Sequence, residues 1–455
     1  PYPVYLGNHA GGYSTKWRGF SSESLEDAFK GGFMKLEDYP FVCGYQSHNC
    51  AWYMSTIKLN HKDLCIAPDL YDSFGADCPD GAVGFAYPTM GESYAPPYQT
   101  VTQLFEYIYN TAIFNNGEFY YWDDNLINMY DHISHEPEKR FKVYLKAWKI
   151  FLDHKPKKPL GKIAYIADYT YECDRRTKLD DISIYNINQT AMSVIHEVNA
   201  EMGVPQGFMT KWDSFKMLDE QDVKILVLPS LDNVSQEITD KLKRMYNNGC
   251  SLIATGNING LEEIFGVTSQ NLRKYVSKIR YKNETENVYP YNCEFFYETD
   301  GAEVIVDSDG KGVILKKERA MLLNVSLGEL GVDSIVMPDL PYCERANISK
   351  LIRCAIADFI NENLNPKVRT DKGCGINIMQ DVNGETLLTL TDYSPFGDLK
   401  EHEISVTFDG INISEVKSLT YDDNDIKMNL FEENDIIKGF STLIRPHETL
   451  IFKID

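Results

Sequence analysis

Residues 223–230 read VKILVLPS and residues 248–256 read NGCSLIATG, and these two stretches decide the fold of the centre of the chain. Each is a short apolar run bounded by turn-forming residues, as expected of a strand that is buried on both faces of a parallel sheet. Residues 235–247 between them have the spacing of an amphipathic helix, with Ser235 as its N-cap. The strand–helix–strand order predicts an open α/β domain, to which residues 162–166 add another strand.

The regions that flank this unit extend the prediction to the C-terminus. The α/β domain is expected to span 160–367, with a long helix over 346–361 and a change to β character over 275–335. Another helix is expected over 190–202. Residues 368–455 contain only short strands separated by Asp, Asn and Gly turns, which predicts a small β-sandwich.

Residues 1–155 alternate short apolar runs with amphipathic stretches, which is typical of parallel strands joined by helices. Polar residues follow most of the runs, and in a (β/α)₈ (TIM) barrel the carboxyl ends of the strands carry the chemistry. Four or five units are too few to close such a barrel, so this segment is predicted to be its C-terminal half. A basic, Pro-rich linker over 154–161 follows. Expected strands are 4–6, 41–45, 64–67, 83–87 and 119–122, and expected helices are 22–29, 100–114 and 138–152.

Composition excludes several classes of function. The chain has 455 residues and a formal net charge of −22, which disfavours nucleic-acid binding. No run of about 18 apolar residues occurs, so no transmembrane helix and no membrane partner are predicted. The sequence opens without a signal peptide, which favours a cytoplasmic protein with free thiols. Secretion is the alternative, because six glycosylation sequons occur, at Asn188, Asn233, Asn283, Asn324, Asn347 and Asn412.

The order of these parts resembles the family-42 β-galactosidases and their clan-A relatives. The resemblance rests on the strand–Pro–Ser stretch at 223–230, on the strand at 248–256 and on the close of the sandwich at 443–451. Where the family has a Gly-Gly pair, this chain has Asn248-Gly249. The resemblance covers roughly residues 160–455, and it implies a catalytic barrel, an amidotransferase-like trimerization domain, a C-terminal β-sandwich and a homotrimer.

The resemblance further implies a retaining glycoside hydrolase that cleaves a β-galactoside-like bond with two carboxylates. By strand order, residues 82–94 take the place of strand 7, and Glu92 is the candidate nucleophile. The family's acid/base follows an Asn, but no Asn-Glu pair occurs in 1–155, so the acid/base is expected upstream of residue 1. Asp69 and Asp72 are fallback candidates that are better explained as loop caps.

An oligosaccharide or glycoside is the expected substrate, and polar or aromatic residues near the strand ends are its candidate ligands. Trp122 takes the place of the aromatic residue that floors the sugar subsite in the family. No cofactor and no metal are predicted, because the cluster around His132 and His135 is better explained as the start of a helix. The candidate substrate-binding residues are Asn8, His9, Trp17, Tyr45, His48, Tyr87, Trp122 and Asp123.

Two other functions remain open from the sequence. One is an inverting sugar phosphorylase of the galactosyl-hexosamine type, which shares a similar order of domains and uses phosphate as nucleophile. The other is a non-catalytic carbohydrate-binding or scaffold protein. A glutaminase is not expected, because Cys250 precedes a buried strand and lacks a Gly-x-Cys-x-Gly nucleophile turn.

Overall fold

The computed structural model of the protein describes residues 7–11, 33–38, 65–70 and, with gaps, 146–455. The main gaps in the last part are 167–197, 326–348 and 393–400. In the described part of the chain, no helix has both the length and the apolar character needed to cross a membrane.

Three short strands near the N-terminus form a parallel sheet. They are β1 (Gly7–Gly11), β2 (Phe33–Asp38) and β3 (Cys65–Leu70), in the order β1-β2-β3. Parallel pairing is what the alternating sequence pattern predicts. Closure of these strands into part of a barrel stays a prediction. The expected strands over 41–45, 83–87 and 119–122, and the expected helices over 22–29 and 100–114, lie outside the described residues.

The segment 154–161, predicted to be a linker, contains a strand instead. Residues Pro156–Pro159 form β4, which pairs antiparallel with residues 379–381 near the C-terminal end of the chain. β4 lies at the edge of its sheet, where the missing N–H of a proline removes no ladder hydrogen bond. Proline content suggested an extended spacer, but an edge strand tolerates the same residues.

A nine-stranded mixed sheet occupies the centre of the chain, in the order β10-β9-β11-β12-β13-β8-β7-β5-β6. The five strands from β13 to β6 are parallel, and β9 to β12 extend the sheet antiparallel. The predicted α/β sheet and its β insertion therefore form one continuous sheet. The strands are β5 (Ile163–Ile166), β6 (Phe208–Thr210), β7 (Ile225–Leu228), β8 (Ser251–Thr255), β9 (Val267–Tyr281), β10 (Glu284–Thr299), β11 (Glu303–Ser308), β12 (Lys311–Lys317) and β13 (Ala320–Leu323).

Among the described residues, the helices with defined bounds beside this sheet are α1 (Gln236–Asn247), α2 (Glu262–Phe265) and α3 (Lys350–Asn363). The Oγ of Ser235 accepts a hydrogen bond from the backbone N–H of Ile238, which confirms the predicted cap. The helix α3 begins at Lys350, four residues later than predicted, and Ser349 is its N-cap.

Both faces of the central parallel strands are covered. Leu226 and Leu252 belong to the apolar cluster that also contains Leu242 of α1. Their neighbours Ile225 and Ile253, which point to the opposite face, are also fully buried. Burial on both faces explains why these strands are continuous apolar runs rather than alternating ones.

Asn324 follows β13 and is 2% exposed. Its Nδ2 donates to the carbonyl oxygens of Tyr297 at 3.0 Å and Gly312 at 2.9 Å, and its Oδ1 accepts from the N–H of Tyr297. A side-chain amide that is buried and bonded in this way cannot carry a glycan in the folded protein. The sequon at Asn324 therefore gives no support to secretion.

The C-terminal residues form two antiparallel sheets in the orders β14-β17-β20-β19 and β18-β21-β16-β15-β4. One apolar cluster joins them, because it contains Val406 and Phe440 of the first sheet and Leu390 and Phe452 of the second. This packing agrees with the predicted sandwich, whereas the division of the chain into three domains stays a prediction. The strands are β14 (Lys367–Thr370), β15 (Gly375–Asp381), β16 (Thr386–Thr391), β17 (His402–Asp409), β18 (Val416–Ser418), β19 (Met428–Glu433), β20 (Ile436–Ile444) and β21 (Thr449–Ile454).

Phe440 on β20 and Phe431 on the paired strand β19 can be used to test which face of the sheet β14-β17-β20-β19 is buried in the core. Phe440 is fully buried, with ring centroids 4.8 Å from Phe452 and 6.1 Å from Phe408. Phe440→Ala should lower the free energy of unfolding by about 3–5 kcal/mol in a urea titration. Phe431 on the neighbouring strand is 42% exposed, so Phe431→Ala should cost only about 1 kcal/mol. Equal losses in the two variants would contradict this assignment.

Candidate functional site

The carboxyl ends of β1, β2 and β3 lie at one edge of their parallel sheet. In the backbone register, Gly11 pairs with Glu37, and Glu37 pairs with Asp69. Residues paired in this way on neighbouring strands share one face of a sheet, and adjacent strands lie about 4.8 Å apart. Two carboxylate residues therefore occupy adjacent positions at the edge where barrel enzymes carry their chemistry.

Glu37 was not among the predicted site residues. The strand β2 that carries it was not predicted, because its six residues, FMKLED, are too few and too mixed to stand out from the following polar stretch. The signal that could have found it is the Gly31-Gly32 pair followed by FMKLED, in which three of the first four residues are apolar and a Glu-Asp pair closes the run. Only pairing with both neighbours shows that these residues form the middle strand.

Asp69 lies inside β3, four positions from its start at Cys65 and one from its end at Leu70. The interpretation of Asp69 as a loop cap is therefore wrong, because its backbone takes part in the sheet and pairs with Glu37. Asp72, the other fallback candidate, lies outside the described residues.

Asn8 and His9 lie within β1, where they pair with Met34 and Lys35. The prediction that they follow a strand is wrong, because both belong to β1, which spans Gly7–Gly11. An apolar run indicates which part of a strand is buried. The length of the strand is set by how far its backbone pairs with the neighbouring strand, which the run does not show. Asn8 and His9 thus lie three and two positions before the carboxyl edge.

The other predicted site residues lie outside the described residues, and their roles stay predictions. They are the candidate nucleophile Glu92 and the candidate substrate ligands Trp17, Tyr45, His48, Tyr87, Trp122 and Asp123.

A cavity of about 470 Å³ lies between the central sheet and the sandwich. Its lining is largely glycine and apolar side chains, such as Leu160, Ile378 and Ile411, with Lys162 and Asp455 as its charged residues. One carboxylate cannot supply both the nucleophile and the acid of a two-carboxylate hydrolase. This cavity is therefore not the proposed catalytic site.

The structure brings together three potential metal ligands that the sequence did not reveal. His154, Asp381 and Glu385 place one imidazole nitrogen and two carboxylate oxygens within 4.8 Å of one another. His154 and Asp381 are 227 positions apart, so no local spacing announces them.

Cys250 lies just before β8 and is buried, and its Sγ donates to the carbonyl oxygen of Ser251. Burial raises the pKa of the Cys250 thiol to about 12. A thiol with that pKa is almost entirely protonated at neutral pH and is not an activated nucleophile. The position of Cys250 thus supports a packing role.

No protein-family model matches this chain, and no curated protein matches it by sequence. Solved structures do match. A cold-adapted β-galactosidase from Rahnella sp. R3 aligns with a TM-score of 0.59 at 9% identity, over 98% of this chain and 63% of that one. An α-L-fucosidase isoenzyme 2 from Paenibacillus thiaminolyticus aligns with a TM-score of 0.53 at 10% identity, over 98% of this chain and 67% of that one.

A catalytic mutant of a family-42 β-galactosidase from G. stearothermophilus aligns with a TM-score of 0.52 at 12% identity. The match covers 95% of this chain and 60% of that one, so the chain spans only part of the length of these enzymes. The chain has mixed α/β structure with a fold similar to family-42 β-galactosidases. Identities of 9–12% show the fold alone.

The buried cysteines allow a test by alkylation. With a pKa of about 12, the Cys250 thiol should be about one part in ten thousand thiolate near pH 8. We expect iodoacetamide to modify the half-buried Cys354 well before Cys250 or Cys374, as read by peptide mass spectrometry. All three should react in urea. Rapid modification of Cys250 in the native protein would contradict its packing role.

Proposed function

We propose that the chain is part of a retaining glycoside hydrolase that cleaves a β-galactoside-like bond at the carboxyl edge of β1–β3. The observation that carries the proposal is the pairing of Glu37 with Asp69 at that edge. The similarity in fold to family-42 β-galactosidases supports it.

Retaining hydrolysis needs two carboxyl groups about 5–5.5 Å apart. One attacks the anomeric carbon, and the other protonates the leaving oxygen and then activates water. Paired strands lie about 4.8 Å apart, so Glu37 and Asp69 occupy neighbouring positions from which either could supply one of these groups. In this proposal Glu92 is the nucleophile, because its segment takes the place of strand 7 in the strand order. Glu37 or Asp69 supplies the second carboxyl group. An acid/base residue upstream of residue 1 is the alternative that the resemblance implies.

Substitution of the three carboxylates tests the proposal on the full chain. Hydrolysis of aryl β-D-galactoside should fall by about 10²–10⁴ in kcat/KM in Glu92→Gln and in Glu37→Gln or Asp69→Asn. Asp38 adjoins Glu37 but belongs to the opposite face, where it pairs with Leu70. Asp38→Asn should therefore change kcat/KM by less than about threefold, which makes it the matched control.

The pattern of losses separates the possibilities. If Glu37→Gln and Asp69→Asn both keep full activity while Glu92→Gln loses it, the second carboxyl group lies outside β1–β3. If Asp38→Asn loses as much as Glu37→Gln, the edge is not the site. Turnover that requires inorganic phosphate and inverts the anomer indicates the phosphorylase, and binding of galactosides without turnover indicates the binding protein.

The same proposal includes a homotrimer, which rests on the resemblance. Sedimentation velocity should then give a species of three times 52.0 kDa. A monomer at micromolar concentration would remove this part of the proposal and leave the chemistry intact.

A further inference from the structure

The turn between β15 and β16 holds two carboxylates close together. The N–H of Asp381 donates to the carbonyl oxygen of Glu385 at 2.9 Å, and the N–H of Gly384 donates back to the carbonyl oxygen of Asp381 at 3.2 Å. Gly384 has φ +85°, a backbone conformation that strongly favours glycine. The hydrogen bonds of the turn therefore set the spacing between Asp381 and Glu385 without a contact from any other segment.

His154 reaches this turn from the segment that precedes β4. Its N–H closes a helical turn on the carbonyl oxygen of Ile150 at 2.9 Å. The N–H of Val382 donates to the carbonyl oxygen of Lys155 at 2.8 Å, and Nδ2 of Asn383 donates to that of Asp153 at 3.2 Å. These contacts, two between backbone groups and one from the Asn383 side chain, place Nδ1 of His154 between the two carboxylates.

The Nδ1 of His154 lies 3.1 Å from Oδ2 of Asp381 and 3.0 Å from Oε2 of Glu385. One imidazole nitrogen carries at most one hydrogen, so it cannot make a full hydrogen bond to both oxygens. The Oε2 of Glu385 is buried and accepts no hydrogen bond from the described residues. The Asp381 side chain is fully buried, whereas only part of the Glu385 side chain is. Buried carboxylate oxygens are paired or coordinate metals.

We propose that His154, Asp381 and Glu385 bind a divalent transition-metal ion of the Zn²⁺ class. Imidazole nitrogen and carboxylate oxygen are both ligands that zinc takes at about 2.0–2.2 Å, which sets neighbouring ligand atoms about 3.3 Å apart. The two contacts of Nδ1 need to lengthen by only a few tenths of an ångström to reach that spacing. The ion replaces the single shared proton and is bound by all three side chains, with water completing its coordination.

Neighbouring groups already hold the two carboxylates in place. The Oδ1 of Asp381 accepts from the N–H groups of Asn383 and Glu385, each at 2.8 Å. The Oε1 of Glu385 lies 2.7 Å from Nζ of Lys453, which is also 3.4 Å from Asp455. Such outer contacts orient ligands in metal sites. With a neutral imidazole, three carboxylates and one ammonium leave two negative charges, which a divalent cation balances.

The bound ion would join the end of the first segment to the sandwich. Asp381 and Glu385 belong to the β15–β16 turn, whereas His154 belongs to the chain that leads into β4. The ion is structural in this proposal, so the site is independent of the proposed glycosidase chemistry. His154 is 19% exposed and Glu385 29% exposed, which leaves a path for the ion to enter.

Metal binding to the full chain tests the proposal. Metal-free protein titrated with Zn²⁺ in a calorimeter should bind one ion that Glu385→Gln and His154→Ala bind at least about tenfold more weakly. The thermal midpoint should rise with Zn²⁺ in the unaltered protein and not in these variants. Glu385 is partly exposed, so Glu385→Gln is expected to fold, which its circular dichroism spectrum and thermal midpoint without metal will show.

His402 offers a matched control in the same sandwich. Its Nε2 lies 3.6 Å from Oδ1 of Asp392, but no third ligand completes a site there among the described residues. His402→Ala should keep the affinity for Zn²⁺.

Because thiols also bind zinc, Co²⁺ serves as a second probe that distinguishes cysteine ligands from the proposed ones. Ligation by nitrogen and oxygen gives no thiolate-to-cobalt charge-transfer band. Three outcomes would each overturn the proposal. The first is equal Zn²⁺ affinity in Glu385→Gln and the unaltered protein, and the second is no Zn²⁺ binding at all. The third is a thiolate-to-cobalt band that remains in His154→Ala.

Discussion

The backbone hydrogen bonds of β8 join two differently built halves of the central sheet. β8 pairs in parallel with β7 on one side and with β13 on the other, and all five of its residues are buried. The strands beyond β13 run antiparallel, so a shift of β8 would displace the α/β half and the β extension together. Burial of Leu252 and Ile253 contributes about 1.5–3 kcal/mol each to holding this position.

The same constraint explains why Cys250, at the start of this strand, is not an activated nucleophile. Cys250 enters the core at the start of β8, and burial raises the pKa of its thiol. Ser251, the next residue, donates from Oγ to Oδ1 of Asn363 at the end of α3. The Cys250 side chain is thus used for packing, and the Ser251 side chain holds the end of a helix.

The proposed catalytic edge lies near the N-terminal end of the chain, and backbone pairing decides which residues are neighbours there. Glu37 and Asp69 become neighbours because β2 and β3 run parallel in a register that aligns their last residues. A slip of one residue would place Asp38 opposite Asp69 and exchange the faces of the strand. The register of two short strands therefore sets the chemistry proposed for this edge.

Local patterns of the sequence determined the strands β5, β7 and β8, the helix α1 with its cap Ser235, and the strand-only C-terminal part. These elements could be predicted because apolar spacing and turn residues act within about a dozen positions. They could not show that β4 belongs to the sandwich, that β2 is a strand between β1 and β3, or that His154 meets Asp381. Those features depend on which distant segments pair, and that choice follows from the burial and hydrogen bonding of the whole chain rather than from any one segment.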